Sequence, residues 1–227
     1  MYLIIIGAGS IGSQLIKLTT EQNNDVVVIE KDPDIAETAS STYDCLVINE
    51  DATIIDTLEE AGAHQADAII STTDEDAINI MVMLLAQELE IPSLVSVVHT
   101  PEHMRLFRQI GVNVLENPQH LIAEYLYRAV QRPSVKDFMH LGEGAEVFEI
   151  TTTQGSEIAG TSLQDAHEMG LFGDDVLIVA IERDHSVITP RGETEIQVGD
   201  LVTVFSKHGF APDVMELFTG NGRSNHR

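Results

Sequence analysis

Apolar residues in the first 130 or so positions fall in short blocks, with amphipathic stretches between them. Leu3–Ile6 is a continuous apolar run, as a strand buried on both faces requires. Val26–Ile29, Cys45–Ile48, Asp67–Ser71, Leu94–Val98 and Asn113–Leu115 repeat the pattern. Between and after these runs lie Ser13–Glu21, Pro33–Ser40, Ile54–Ala61, Asp76–Leu89, Met104–Ile110 and Leu121–Val130, which read as helices. This alternation predicts an α/β fold, a doubly wound parallel Rossmann sheet over residues 1–132. Right-handed crossovers then bring the loops that follow the strands to one edge, where such sheets bind ligands.

The pattern changes after Arg132-Pro133. Residues 133–144 read as a linker. Short β-branched runs follow at Val147–Thr152, Val176–Ile181, Ser186–Ile188 and Leu201–Phe205, with turn signals at Gln154-Gly155, Asp184-His185 and Val198-Gly199-Asp200. They predict a second, small α+β domain over 145–208. Residues 209–227 read as a C-terminal tail, whose polar, Gly-containing end from Thr219 is expected to be disordered.

Charge narrows the choice of partner. The chain carries 37 Asp and Glu against 12 Lys and Arg, a net −25, and both predicted domains share the excess. Such a field repels phosphate backbones and anionic headgroups, so no nucleic-acid partner and no direct lipid insertion are expected. One reading is a protein from a salt-loving host, where salt screens the self-repulsion; the other is an ordinary acidic protein. No apolar run is long enough to span a bilayer and no secretory leader is visible, so a cytoplasmic location is expected. The single cysteine, Cys45, sits in a strand-like run and reads as a buried thiol.

The candidate chemistry lies at the end of the first strand. Gly7-Ala8-Gly9-Ser10-Ile11-Gly12 has dinucleotide-fingerprint spacing, with a strand before it and a helix after it. The first glycine permits the turn, the second lets a pyrophosphate approach the backbone, and the third lets helix and strand pack. The helix N-terminus supplies free N–H groups. Glu30 ends the second strand, where a carboxylate accepts ribose hydroxyls and repels a 2′-phosphate; Lys31 follows it. Asp51-Ala52-Thr53 and Thr72-Thr73-Asp74 reach the same edge after the third and fourth strands. Thr72 and Thr73 suit ligand lining and loop capping equally, and Asp74 or Asp76 suits the N-cap of the following helix. The expected ligand is NAD(H) or an adenine nucleotide such as ADP or ATP.

No catalytic apparatus accompanies the loop. The nine histidines lie mostly in polar helix ends and turns, and no metal-ligand signature or nucleophile elbow occurs. Neither catalytic nor metal-binding residues are expected. A nicotinamide-dependent oxidoreductase with unrecognised catalytic residues is the alternative; a nucleotide-sensing transcription regulator is opposed by the charge and lacks a basic helix-turn-helix.

The chain also resembles the regulatory proteins of Trk/Ktr-type potassium uptake, the regulators of potassium conductance. The resemblance runs through Ile4–Gly9, Val28–Asp32, Glu50–Thr53, Glu60–Ala63, Thr73–Asp76 and Asn79, then through Ala159–Leu163, Val176–Ile181, Arg183, Thr189-Pro190 and Val198–Val202. It implies a non-enzymatic regulatory subunit that binds a nucleotide and gates a membrane potassium-translocating subunit. It also implies a homo-oligomer, a dimer or a ring of dimers, at the inner face of the membrane. Two departures stand out. Many such proteins carry an Arg-x-Arg stretch before a Pro-Glu pair, where this chain reads Val97-Val98-His99-Thr100. Many place a cation-binding acid after a proline near the sixth strand, where this chain has Gln119. Assembly has its own signal: Asp76–Leu89 and Leu121–Val130 are apolar on more sides than one sheet covers, which suggests a subunit interface, the alternative being a helix wedged between its own sheet and the second domain.

Overall fold

The computed structural model describes residues 1–209 and 212–220, with the backbone alone at 114–116. The chain divides between Glu124 and Tyr125 into two compact units.

The first unit holds strands β1 (Tyr2–Ile6), β2 (Asp25–Ile29), β3 (Leu46–Ile48), β4 (Ala68–Ser71), β5 (Leu94–Val98) and β6 (Asn113–Glu116). They form one parallel sheet in the order β3-β2-β1-β4-β5-β6. Helices α1 (Ser10–Glu21), α2 (Pro33–Thr42), α3 (Ile55–Glu60), α4 (Asp76–Glu88) and α5 (Met104–Gln109) connect them, and α6 (Pro118–Gln131) follows β6. The apolar strands are continuous because both faces are covered. Ile4, Ile6, Val27 and Ile29 pack with Leu58, Val82, Met83 and Phe107. Ile5, Val26 and Val28, one residue out of phase, pack with Ile16 and Ala39 on the other face. The chain order reverses between β1 and β4, so the ends of these two strands flank a crevice. Local chemistry starts α2 beside it: Asp32 accepts hydrogen bonds from the Asp34 and Ile35 amides, and Pro33 occupies the first helical position.

The second unit is an antiparallel sheet in the order β10-β9-β11-β8-β7. Its strands are β7 (Val135–His140), β8 (Glu146–Thr151), β9 (Val176–Arg183), β10 (Ser186–Ile188) and β11 (Leu201–Ser206), with helices α7 (Leu163–Glu168) and α8 (Pro212–Thr219). Phe148, Ile150, Ile181, Val202, Val204 and Phe218 form its core.

Two expected boundaries change. The stretch 133–144, expected as a linker, carries β7, an edge strand paired along β8. Lys136, Asp137 and His140 disguise it, because an edge strand keeps charged residues where a central one cannot. Val135 and Phe138 nevertheless pack on the second core, and Phe138 stacks on Tyr125 at 5.6 Å. The tail expected over 209–227 begins with α8, which buries Val214, Leu217 and Phe218 in the second core. The end of that tail, 221–227, lies outside the described residues. Cys45 is half-buried against the core rather than enclosed by it, and burial raises its thiol pKa.

Two buried carboxylates organise the second unit. Asp200 takes both Nε and Nη2 of Arg183, each at 2.7 Å, and accepts the Gln197 amide. Glu146 is held by Arg128 at 2.7 Å and Arg132 at 2.9 Å. In both cases the arginine fork satisfies an acid that burial alone would destabilise.

Candidate functional site

The turn from β1 into α1 forms the floor of the crevice. Gly7 has a φ of +88°, a conformation that side chains disfavour, and its amide donates to the Ile29 carbonyl at 2.9 Å. A Cβ at position 12 would fall on the Gly7 carbonyl, so only glycine lets α1 approach this closely. At Gly9 an added Cβ would meet nothing within 4 Å, so the backbone here faces open space. Gly9 is also the N-cap of α1 and offers no side chain to the first-turn amides, and that turn carries no acid. Those amides and the positive end of the helix dipole suit an anion.

Glu30 lies directly across from this turn. Its Oε2 accepts the Ala8 amide at 2.7 Å, and its Oε1 accepts the Asp32 amide at 2.8 Å. The carboxylate is therefore fixed against the loop with further lone pairs available to hydroxyl donors. Asn49 braces the same turn by donating to the Glu30 and Lys31 carbonyls. Lys31 pairs with Asp51 at 3.0 Å, and Asp51 also accepts the Thr53 amide at 3.0 Å and the Thr53 hydroxyl at 2.7 Å. The Thr53 hydroxyl and amide, with Lys31, pull the Asp51 pKa down to about 2.

On the opposite wall, Thr72 is buried and its hydroxyl donates to the Ile6 carbonyl at 3.0 Å, tying β4 to β1. Thr73 donates to Asn79 Oδ1 at 2.7 Å. Asn79 is fully buried, also accepts from Ser71, and donates to the Thr73 and Val97 carbonyls. It fixes the β4–α4 loop from behind, a role that depends on contacts rather than on any sequence motif. Neither Asp74 nor Asp76 caps α4; Glu75 is the N-cap. Asp76 instead turns towards the end of β5 and accepts the His99 and Thr100 amides and His103 Nδ1, at 2.8, 2.9 and 2.8 Å. Burial raises its pKa, but hydrogen bonds from His99, His103 and Thr100 outweigh this and hold it below the ordinary value.

These walls enclose an open cleft of about 270 Å³. Of the residues singled out from sequence, Gly7, Gly9, Ser10, Ile11, Glu30, Lys31, Asp51, Ala52, Thr72, Thr73 and Asp74 line it together. Ala8, Gly12 and Thr53 stand behind the lining: Ala8 holds Glu30, Gly12 seats the helix and Thr53 locks Asp51. The cleft has further walls in Ile35 and Ile78, in Glu50 from the family stretch Glu50–Thr53, and in Gln119, which stands where many relatives carry an acid.

Family models match the TrkA-N domain over residues 3–118 and the TrkA-C domain over residues 147–219. The chain belongs to the TrkA family. It is 31% identical to a Trk system potassium uptake protein TrkA homolog of Methanothermobacter thermautotrophicus, over 97% of this chain and 100% of that one. It is 28% identical to a protein of the same description from Pyrococcus abyssi, over 96% of this chain and 97% of that one. Among solved structures it resembles the GsuK channel bound to NAD, with a TM-score of 0.66 at 21% identity, over 99% of this chain and 40% of that chain. It also resembles the Kef C-terminal domain of Shewanella denitrificans in its AMP-bound form, with a TM-score of 0.50 at 21% identity, over 58% of this chain and 80% of that one. The TrkA family models fit the two-unit architecture, with the cleft in the first unit. Among the described residues, no helix is long and apolar enough to cross a membrane.

Proposed function

We propose that this chain is a non-enzymatic regulatory subunit that binds NAD(H) or an adenine nucleotide and gates a membrane potassium-uptake system of the Trk/Ktr type. The observation that carries this reading is the facing pair formed by the uncapped Gly7–Gly12 turn and the Glu30 carboxylate held on the Ala8 amide. An adenosine ribose hydroxyl donates to Glu30 while the diphosphate lies over Gly9 and the first turn of α1. Among the described residues, the cleft lining contains no histidine, cysteine or tyrosine, and its one lysine, Lys31, is paired with Asp51. The relatives' description as potassium uptake proteins and the NAD-bound GsuK neighbour support the same reading.

Gating requires a partner and a state that the nucleotide prefers. The subunit acts at the inner face of the membrane through its translocating partner, as a dimer or a ring of dimers. Exposed Met81 and Leu84 on α4, and Ile122, Leu126, Tyr127 and Val130 on α6, supply apolar surface for assembly on an otherwise acidic protein. Calorimetry against NAD⁺, NADH, ADP and ATP tests the binding, and saturable binding of at least one is expected. No binding of any of them overturns the reading, as does robust oxidation of reduced nicotinamide with a panel of carbonyl substrates.

A further inference from the structure

His99 lies behind the cleft, and both of its ring nitrogens face oxygen atoms. Nε2 is 3.1 Å from the Thr73 carbonyl oxygen, and Nδ1 is 3.3 Å from Oε1 of Gln119. A neutral imidazole has one donor and one lone pair, so it cannot satisfy two acceptors; an imidazolium donates to both. The Thr73 carbonyl is a permanent acceptor, and the buried Asn79 amide fixes it at 3.0 Å. The ring's own backbone is fixed too: the His99 amide donates to Asp76 at 2.8 Å, and its carbonyl accepts from Asn117 at 2.9 Å. Gln119 is exposed and lines the cleft, so it is the partner free to adapt.

The two protonation states therefore set Gln119 differently. With a neutral ring, Nε2–H donates to Thr73 and the lone pair on Nδ1 calls for the Gln119 NH₂ group, leaving Oε1 as the amide's outward atom. With a protonated ring, Nδ1–H donates to Oε1 and the NH₂ group is turned outward instead. One proton exchanges an acceptor for a donor on the cleft wall and adds a positive charge behind it. We propose that His99 is a proton-dependent positioning residue of the nucleotide cleft, acting through Gln119, so that ligands carrying a diphosphate bind with uptake of a proton. This rests on the nucleotide-binding reading above and extends it to regulation by pH.

Among the described residues, Lys31 is the one basic side chain in the lining, and Asp51 already engages it. Other titratable groups on the elements around the ring include Asp74, Glu75 and Asp76 at the head of α4, Glu102 and His103 after β5, Glu116 at the end of β6, and His120 and Glu124 on α6. Asp76 holds the His99 amide with one oxygen and the His103 ring with the other, so His103 is the competing source of any pH effect.

Adenosine diphosphate ribose is a suitable probe, because its diphosphate keeps the same charge across the range in which histidine titrates, about pH 5–8. Calorimetry on the full chain should show binding several-fold tighter near the acid end than near the alkaline end. Measured between those ends in buffers of different ionisation enthalpy, the heat should report proton uptake. His99→Gln should flatten the pH profile, and His103→Gln should keep it. If His99→Gln does not fold, Gln119→Leu serves instead: it keeps the ring, removes its reporter and should shrink the slope. A pH-independent affinity in the unmodified chain overturns this inference alone, as does an unchanged slope in His99→Gln or Gln119→Leu, or a slope lost in His103→Gln. No binding at any pH overturns the nucleotide reading and this inference with it.

Discussion

At position 9 a side chain would extend into the cleft and touch nothing, and the backbone φ of −65° suits any residue. Gly9→Asp should therefore fold normally, with an unchanged melting temperature, yet lose nucleotide binding because its carboxylate occupies the diphosphate position. Retained affinity in calorimetry would remove the loop from the site. Glu30 orders Ala8 and Asp32, and in the proposed nucleotide complex its remaining lone pairs accept the ribose hydroxyls. Hydrogen bonds to a charged acceptor contribute about 1.5–3 kcal/mol each, so Glu30→Ala should weaken NAD⁺ binding roughly ten- to a hundredfold. A 2′-phosphorylated ligand gains nothing from Glu30, so the preference for NAD⁺ over NADP⁺ should narrow in this variant. An equal loss for both ligands, measured in parallel titrations, would argue against the ribose contact.

At the scale of elements, the second sheet depends on the Arg183–Asp200 pair, which joins β9 to the turn before β11. Burial raises the Asp200 pKa, but Arg183 and the Gln197 amide outweigh this and hold it below the ordinary carboxylate value. A depressed native pKa means that the unfolded state binds the proton more readily. The contribution of Asp200 is therefore complete above its unfolded pKa of about 3.9 and declines as pH falls below it. Asp200→Ala strands the guanidinium and should cost about 3 kcal/mol in urea unfolding near neutral pH. The deficit relative to the unmodified chain should narrow as the pH is lowered below about 4. A deficit independent of pH would mean that Asp200 acts only through packing. The helices divide differently. α4 buries Val82, Met83 and Ala86 on its sheet but leaves Met81 and Leu84 exposed. On α6, the apolar Val130 is 81% exposed.

For the whole molecule the net charge of −25 governs behaviour. Self-repulsion opposes both the compact state and any contact between copies, and molar salt shortens its reach to about 3 Å. Melting temperature should rise between low salt and about 1 M potassium chloride, and light scattering at the higher salt should give at least a dimer. A flat melting series would count against adaptation to salt. A single-chain mass at micromolar concentration would count against the gating assembly.

Much of this protein was determined by sequence alone, because the interactions responsible are short in range or periodic. Continuous apolar runs such as Leu3–Ile6 require cover on both faces, and the glycines of Gly7–Gly12 mark a turn that tolerates nothing larger at position 12. Glu30 follows from its place at the tip of the second strand. Tertiary structure decided what depends on residues meeting across the chain. Charged β7 is a strand because β8 and Tyr125 receive it, and α8 is a helix of the second core because Phe218 fills a space left by strands far earlier. Asp76, suited to a helix cap by its position, serves a loop 23 residues later. His99 and Gln119, 20 residues apart, come together only when β5 and α6 are in place. Such pairings have no local pattern, because hydrogen bonds between side chains are set by the sheet that brings their elements together.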